Sequence, residues 1–198
     1  MDLKDILFSD LPAATPHMGS LLVSEPLLED KYFSRSAILV LDEPEDGGHF
    51  GLILNKPTDM TLKDLIPDWE DGKKVPIYCG GPVDMQRMFL LHTLGDKLGA
   101  SAEVLPGIYV GAELDKIIEY VENGGDVDGK LRFFLGYCGW SPGQLSAEIE
   151  GKTWAVNALP QSFNLLEGEG IEYWKREVKD LGEDYRGWLV VPLDPSLN

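Results

Sequence analysis

The sequence predicts an α+β fold on three grounds. Strand-like segments come in clusters, helical segments are scattered among them, and no regular alternation of strand and helix appears of the kind that builds a doubly wound parallel sheet. The length suits one domain: 198 residues, 43% hydrophobic and 26% charged, are enough for a substantial core, and residues 1–198 are read as that one unit. Five Trp, seven Tyr and seven Phe give the interior its bulk.

Residues 2–10 predict a short helix with Leu3, Ile6 and Leu7 on one face, stopped by Pro12 and Pro16. Residues 19–24 (GSLLVS) read as a strand, followed by a polar stretch over 25–34. The run AILVL at 37–41 is apolar without alternation, which predicts a strand buried on both faces. Across an acidic turn at 42–48, HFGLILN at 49–55 returns as its hairpin partner, and Pro57 is expected to end it. Thr61 predicts the N-cap of a short helix through Leu62, Leu65 and Ile66. Further strands are expected at 75–79, 88–92 and 107–110, with a loop at 95–101.

Over 113–123, Leu114, Ile117, Ile118 and Val121 share one helical face, and Asn123-Gly124-Gly125 supply the stop. Residues 131–138 (LRFFLGYC) predict a strand, 139–143 (GWSPG) a turn, 144–150 a short helix and 153–157 another strand. A last helix over 171–181 is expected to point Ile171, Trp174, Val178 and Leu181 inward, and the tail from 191 to 198 to be loosely held.

Thirty-four acidic against 17 basic residues leave a net charge of −17. Such a surface repels phosphate backbones and anionic lipid, so direct nucleic-acid binding is disfavoured; keeping the protein soluble is the simplest role of the excess acid. The opening MDLKDILFSD carries acids where a signal peptide needs bases, and no segment offers the roughly 18 consecutive apolar residues of a membrane span. No membrane association is expected, and the expected location is cytoplasmic, with Cys79 and Cys138 as free thiols. Their positions leave a disulfide between them open.

Most chemical motifs fail on inspection. The segment EGKT at 150–153 ends like a phosphate loop, but Ser146 stands where the first glycine is needed. The segment beginning at Asp42 starts like a calcium loop, yet Pro44 takes the third ligand position and Ile53 replaces the bidentate glutamate. No metal pattern joins the two cysteines to the three histidines, and no cofactor is expected. Nucleophilic chemistry at Cys138 would need a base such as His49 or His92 and a lowered thiol pKa. His92 is favoured as a hydrogen-bonded structural residue at a strand end.

Seven segments stand in order: GSLLV at 19–23, FSRSAILV at 33–40, GLILNKP at 51–57, GGPV at 80–83, FLLH at 89–92, GIYVG at 107–111 and GYCGWSPGQL at 136–145. Together they resemble the AlgH/YqgE family of bacterial proteins, most strongly over residues 19–158. Residues 159–198 are set apart as a C-terminal helical extension. The chain departs from the family pattern at Lys56, where Arg is commoner, and at Cys138, where Ala often stands. The resemblance implies a compact domain whose bifurcated, barrel-like, mainly antiparallel sheet is flanked by short helices. It also implies a role as a transcriptional regulator. With no recognisable catalytic motif and no basic helix on so acidic a chain, that role is expected to be indirect, through a protein partner. The alternative is a small-molecule-binding protein or an undescribed enzyme using the GYCGWSPGQL loop.

The candidate binding surface comprises Arg35, Asn55, Lys56, Gly80, Gly81, Pro82, His92, Tyr137, Trp140 and Gln144. Glycines permit tight turns and close backbone approach, and prolines fix those turns. Arg35 is favoured to pair with a carboxylate or carbonyls inside the fold, with anion binding as the other option. Asn55, Lys56, Gly80, Gly81, Tyr137, Trp140 and Gln144 either line a shallow cleft or form a turn cluster that closes the barrel.

Overall fold

The computed structural model describes residues 7–8, 11, 14–42, 48–66 and 74–192. Most of the helix expected over 2–10, the acidic turn at 43–47 and the tail at 193–198 lie outside the described residues. The chain runs β1 (Leu21–Ser24), β2 (Ala37–Asp42), β3 (His49–Ile53), β4 (Pro57–Thr61), α1 (Leu62–Leu65), β5 (Pro76–Cys79), β6 (Val83–His92), β7 (Ala102–Leu105), β8 (Ile108–Val110), α2 (Leu114–Glu122), β9 (Leu131–Trp140), α3 (Gln144–Glu150), β10 (Trp154–Asn157) and α4 (Gly170–Asp180). Short 3-10 segments occur at Gly95–Leu98, Ser162–Asn164 and Glu183–Val190.

Strand β2 shows why the sheet has two apolar faces. Ala37, Leu39 and Leu41 enter one cluster and Ile38 and Val40 another, which explains the unbroken apolar run. The hydrogen-bonded order is β10-β1-β2-β3-β9-β6-β8-β7, with β4 and β5 branching off it. All pairings are antiparallel except β5 with β9. The sheet curls into a half-barrel. Strand β7, at the sheet's far end, comes back against the segment that leads into β1, so that a Cβ on Gly19 would lie 2.7 Å from the Val104 carbonyl oxygen.

The concave interior collects Leu21, Leu39, Leu52, Leu91, Ile108 and Phe134. Tyr173, Trp174 and Val178 of α4, with Tyr185 and Trp188 after it, close that interior. The segment set apart as a C-terminal extension therefore supplies the largest fully buried side chains of the core. Two further clusters occupy the opposite face. One packs Ile77, Leu90 and Phe133 beneath Ile117 and Val121 of α2; the other packs Leu22, Ile38, Ile53 and Trp140 beneath Leu145 of α3. The whole is one α+β domain.

Several boundaries move. Pro57 opens β4 instead of ending the chain's extended path, because β4 pairs only with β5 and the first residue of an edge strand can do without an N–H. Thr61 caps α1 as expected, and the Asp64 carboxylate accepts its backbone N–H at 2.7 Å and its hydroxyl at 2.9 Å. Residues 102–105, read as part of no element, form β7. Gly139 and Trp140, read as turn, remain in β9.

Candidate functional site

The site begins with the way β9 is shared. On one edge it pairs with β6. Its other edge is divided: β5 runs parallel along residues 133–135, and β3 antiparallel along 138–140. Because β5 and β6 sit on opposite edges of β9, residues 80–82 must cross over that strand to join them.

The crossing leaves no room for side chains. A Cβ on Gly81 would stand 2.2 Å from the Tyr137 carbonyl, and one on Gly80 would stand 2.3 Å from the Gly136 oxygen. Gly136 lies beneath with φ +71°, and its own Cβ would meet the Gly81 oxygen at 2.3 Å. Gly80 also ties the fork together. Its N–H donates to Leu135 O and its carbonyl accepts from Ile53 N–H, each at 2.8 Å. The left-handed turn at Gly136 shifts the side-chain alternation of β9. Phe134 and Tyr137 consequently pack on the concave cluster, while Cys138 and Trp140 pack on the outer one.

Pro82, exposed, follows the crossing, and the half-buried Tyr137 ring packs beside Phe50 at 4.8 Å and Phe89 at 6.0 Å. Lys56 lies against the same point, since its carbonyl accepts from Cys79 N–H at 2.8 Å. Its ammonium donates to the Ser34 carbonyl, and burial lowers its pKa. Burial raises the Cys79 thiol. Cys138 is buried, and desolvation raises it far further, so it stays a thiol, donating to Gly80 O at 3.3 Å.

The other candidate residues are distributed around this point. Asn55 is fully buried and acts as a latch: Oδ1 accepts Ala37 N–H at 3.0 Å, while Nδ2 donates to Arg35 O and Gly170 O, both at 2.9 Å. Arg35, with φ +50°, donates to Val191 O at 3.1 Å and Pro192 O at 2.9 Å, and its guanidinium lies 4.6 Å from the Trp174 ring centroid. Trp140 and Gln144 lie beneath and on α3. Both donate to Glu148, at 2.9 Å each, and Trp154 donates to the same carboxylate at 2.7 Å.

His92 is remote, at the other end of the β6–β9 ladder opposite Leu131. Its Nδ1 accepts Leu94 N–H at 3.2 Å, so the proton sits on Nε2, which donates to Gly111 O at 2.9 Å; burial lowers its pKa. Gly80, Gly81, Pro82, Tyr137 and Lys56 are thus brought together, whereas Asn55 and Arg35, Trp140 and Gln144, and His92 occupy three other places.

Three features escaped sequence reasoning. Glu148 gathers two indoles and an amide; its only sequence signal was its i+4 spacing from Gln144. Arg132, a lone charge in an apolar strand, is buried and donates to Leu54 O and Leu166 O at 2.7 Å and to Gly168 O at 2.9 Å. The third is an arm. After the crossing, Val83 pairs with Tyr137 and Met88 with Leu135, so residues 84–87 bulge from the ladder. Residues 83–88 are all exposed, and Val83, Met85 and Met88 retain 39%, 45% and 39% of their surface. Tyr32 reaches across to Met85, its hydroxyl 3.8 Å from the sulfur. Among the described residues, no three His, Cys, Asp or Glu side chains converge as a metal site requires, and no helix is long and apolar enough to cross a membrane.

The profile of the AlgH-like family (DUF179) matches residues 21–186. The chain belongs to the AlgH-like family. The match runs past the motif-bearing region to take in α4. Among AlgH-like relatives, a UPF0301 protein of Parabacteroides distasonis is 40% identical over 184 residues, and one of Bacteroides thetaiotaomicron 38% over 183, each alignment covering 92% of both chains. Two solved structures share the fold. A Corynebacterium diphtheriae protein has a TM-score of 0.73 at 23% identity, covering 93% of this chain and 97% of its own. The solution structure of AlgH from Pseudomonas aeruginosa has a TM-score of 0.62 at 22% identity, covering 92% and 95%.

Proposed function

We propose that this AlgH-like chain is an interaction protein that influences transcription indirectly, through a protein partner docking on the arm Val83–Met88. One observation carries the reading: three large apolar side chains stand exposed on a six-residue run whose base is pinned by the glycine crossing. Contiguous exposed apolar surface marks interaction sites, and a rigid base limits the ordering that binding requires. A net charge of −17 supports a protein partner over a duplex.

The test places a photo-reactive residue at Met85 and, as a control, at Leu159, which is also exposed. A partner cross-linked only from position 85, whose purified form binds the wild type and loses affinity with Val83→Ser/Met85→Ser, supports the reading. Equal capture from both positions, or undiminished binding by the double variant, counts against it. Salt-sensitive, sequence-specific retardation of a duplex by the purified protein would replace the indirect role with a direct one.

A further inference from the structure

Met88 ends the arm and also begins a groove. Between β6 and α2 about 190 Å³ of open space is lined by Met88, Leu90, Val110, Leu114, Ile117 and Phe133. Its two banks carry exposed apolar side chains, Met88 at 39% and Leu114 at 45%. Unbranched methionine on a groove wall adapts to differently shaped anchors. Leu114 is the first residue of α2, and the exposed surface of that helix is acidic. Asp115, Glu119 and Glu122 face water against a single base, Lys116, which is already paired with Glu119 at 3.2 Å. Asp84 adds a further exposed acid on the arm. Arg87, the arm's own base, turns to the other side of β6, its guanidinium 5.0 Å from the centroid of the Phe89 ring.

We infer that this groove receives a basic peptide segment of the partner, one whose large apolar side chain enters between Met88 and Leu114 while flanking Lys or Arg residues face the acids of α2. The inference rests on the reading of the arm as the docking surface. It adds the chemistry of what docks. An apolar groove bounded by a helix whose exposed surface is acidic, on a chain of net charge −17, selects a segment combining an apolar anchor with positive charge; an uncharged segment gains only the apolar part, and an acidic one is repelled.

The test uses three fluorescent peptides of equal length. The first carries leucine anchors flanked by lysines, the second the same lysines with serine in place of leucine, and the third leucine anchors flanked by glutamates. The anchored basic peptide is expected to bind the full chain about tenfold more tightly than either control. Met88→Gln and Leu114→Gln should each weaken it about fivefold, and Asp115→Lys/Glu119→Lys should weaken it as well. All these positions are exposed, and far-UV circular dichroism checks that each variant folds.

Equal affinity for the anchorless lysine peptide, or indifference to both glutamine substitutions, would show attraction to the acidic surface at large and overturn the proposal. So would a dimer that Leu114→Gln converts to monomer in sedimentation, because a second copy would then fill the groove. The two readings fail separately. A partner captured from Met85 with no groove-dependent peptide binding sinks only the groove inference, whereas groove-dependent peptide binding with no partner at Met85 sinks the arm.

Discussion

The glycine crossing and the arm it leads into are neighbours in sequence and opposites in packing. At Gly80 and Gly81 the backbones of two passing segments approach until even a methyl group would overlap. Two residues later, six consecutive side chains stand in solvent and four residues leave the ladder. The contrast separates two kinds of work. The crossing has no side chain to offer a ligand, so it sets position; the arm makes little contribution to the core, so it is free to make contacts elsewhere.

Substitutions should divide along this line. The largest effect is expected for Gly81→Ala and Gly136→Ala, where the new methyl meets fixed backbone; each should cost about 3 kcal/mol or more in urea denaturation. A tolerated Gly81→Ala would mean that the crossing yields and does not pin the arm. Next comes Arg132→Met, which strips three carbonyls of their buried donor and should cost about 3 kcal/mol. Glu148→Leu should cost about 2 kcal/mol, read from tryptophan fluorescence during denaturation, because two indole N–H groups lose their acceptor; Glu148→Gln should recover part of it.

A smaller effect is expected from pH. His92 must be neutral at Nδ1 to accept the Leu94 N–H, and burial holds its folded pKa below the unfolded value of about 6.5. Its contribution is therefore complete above that unfolded value and is lost as pH falls through the lower folded one. Denaturation midpoints should show this acid-side slope flatten in His92→Gln. Last, Met85→Ser should move stability by no more than about 0.5 kcal/mol while abolishing partner binding. A large stability loss there would erase the contrast between arm and crossing.

The sequence reveals unequal parts of this arrangement. Strand β2 announced itself because burial on both faces leaves no polar alternation, and α2 because Leu114, Ile117, Ile118 and Val121 repeat at helical spacing. Strand β4 was hidden by Pro57, which bars an interior strand position, and by the polar run PTDMT, which lacks the apolar alternation of a half-buried strand. The glycines at 80, 81 and 136 were legible as places of close approach. What they approach was not, because that requires knowing that β5 and β6 flank the same strand. Arg35 was legible as a residue that pairs with carbonyls inside the fold, and it does so, but which carbonyls it meets, like the long-range partner of Asn55, was hidden for a related reason. Their partners, Gly170, Val191 and Pro192, lie more than a hundred residues downstream, and polar side chains that satisfy distant carbonyls carry no local signature. The arm was the least visible, as VDMQRM offers neither strand nor helix periodicity.

The central position of β9 bears on how the chain reaches this shape. Strands β3, β5 and β6 are all synthesised earlier, and beside β2, β4 and β8 respectively each still needs residues 131–140 to pair its second edge. A nascent chain halted before that strand emerges holds three unpaired edges with apolar faces, the state most open to misassociation. Its release should bring cooperative closure around one late-arriving strand, at the slow pace of a topology governed by distant pairings.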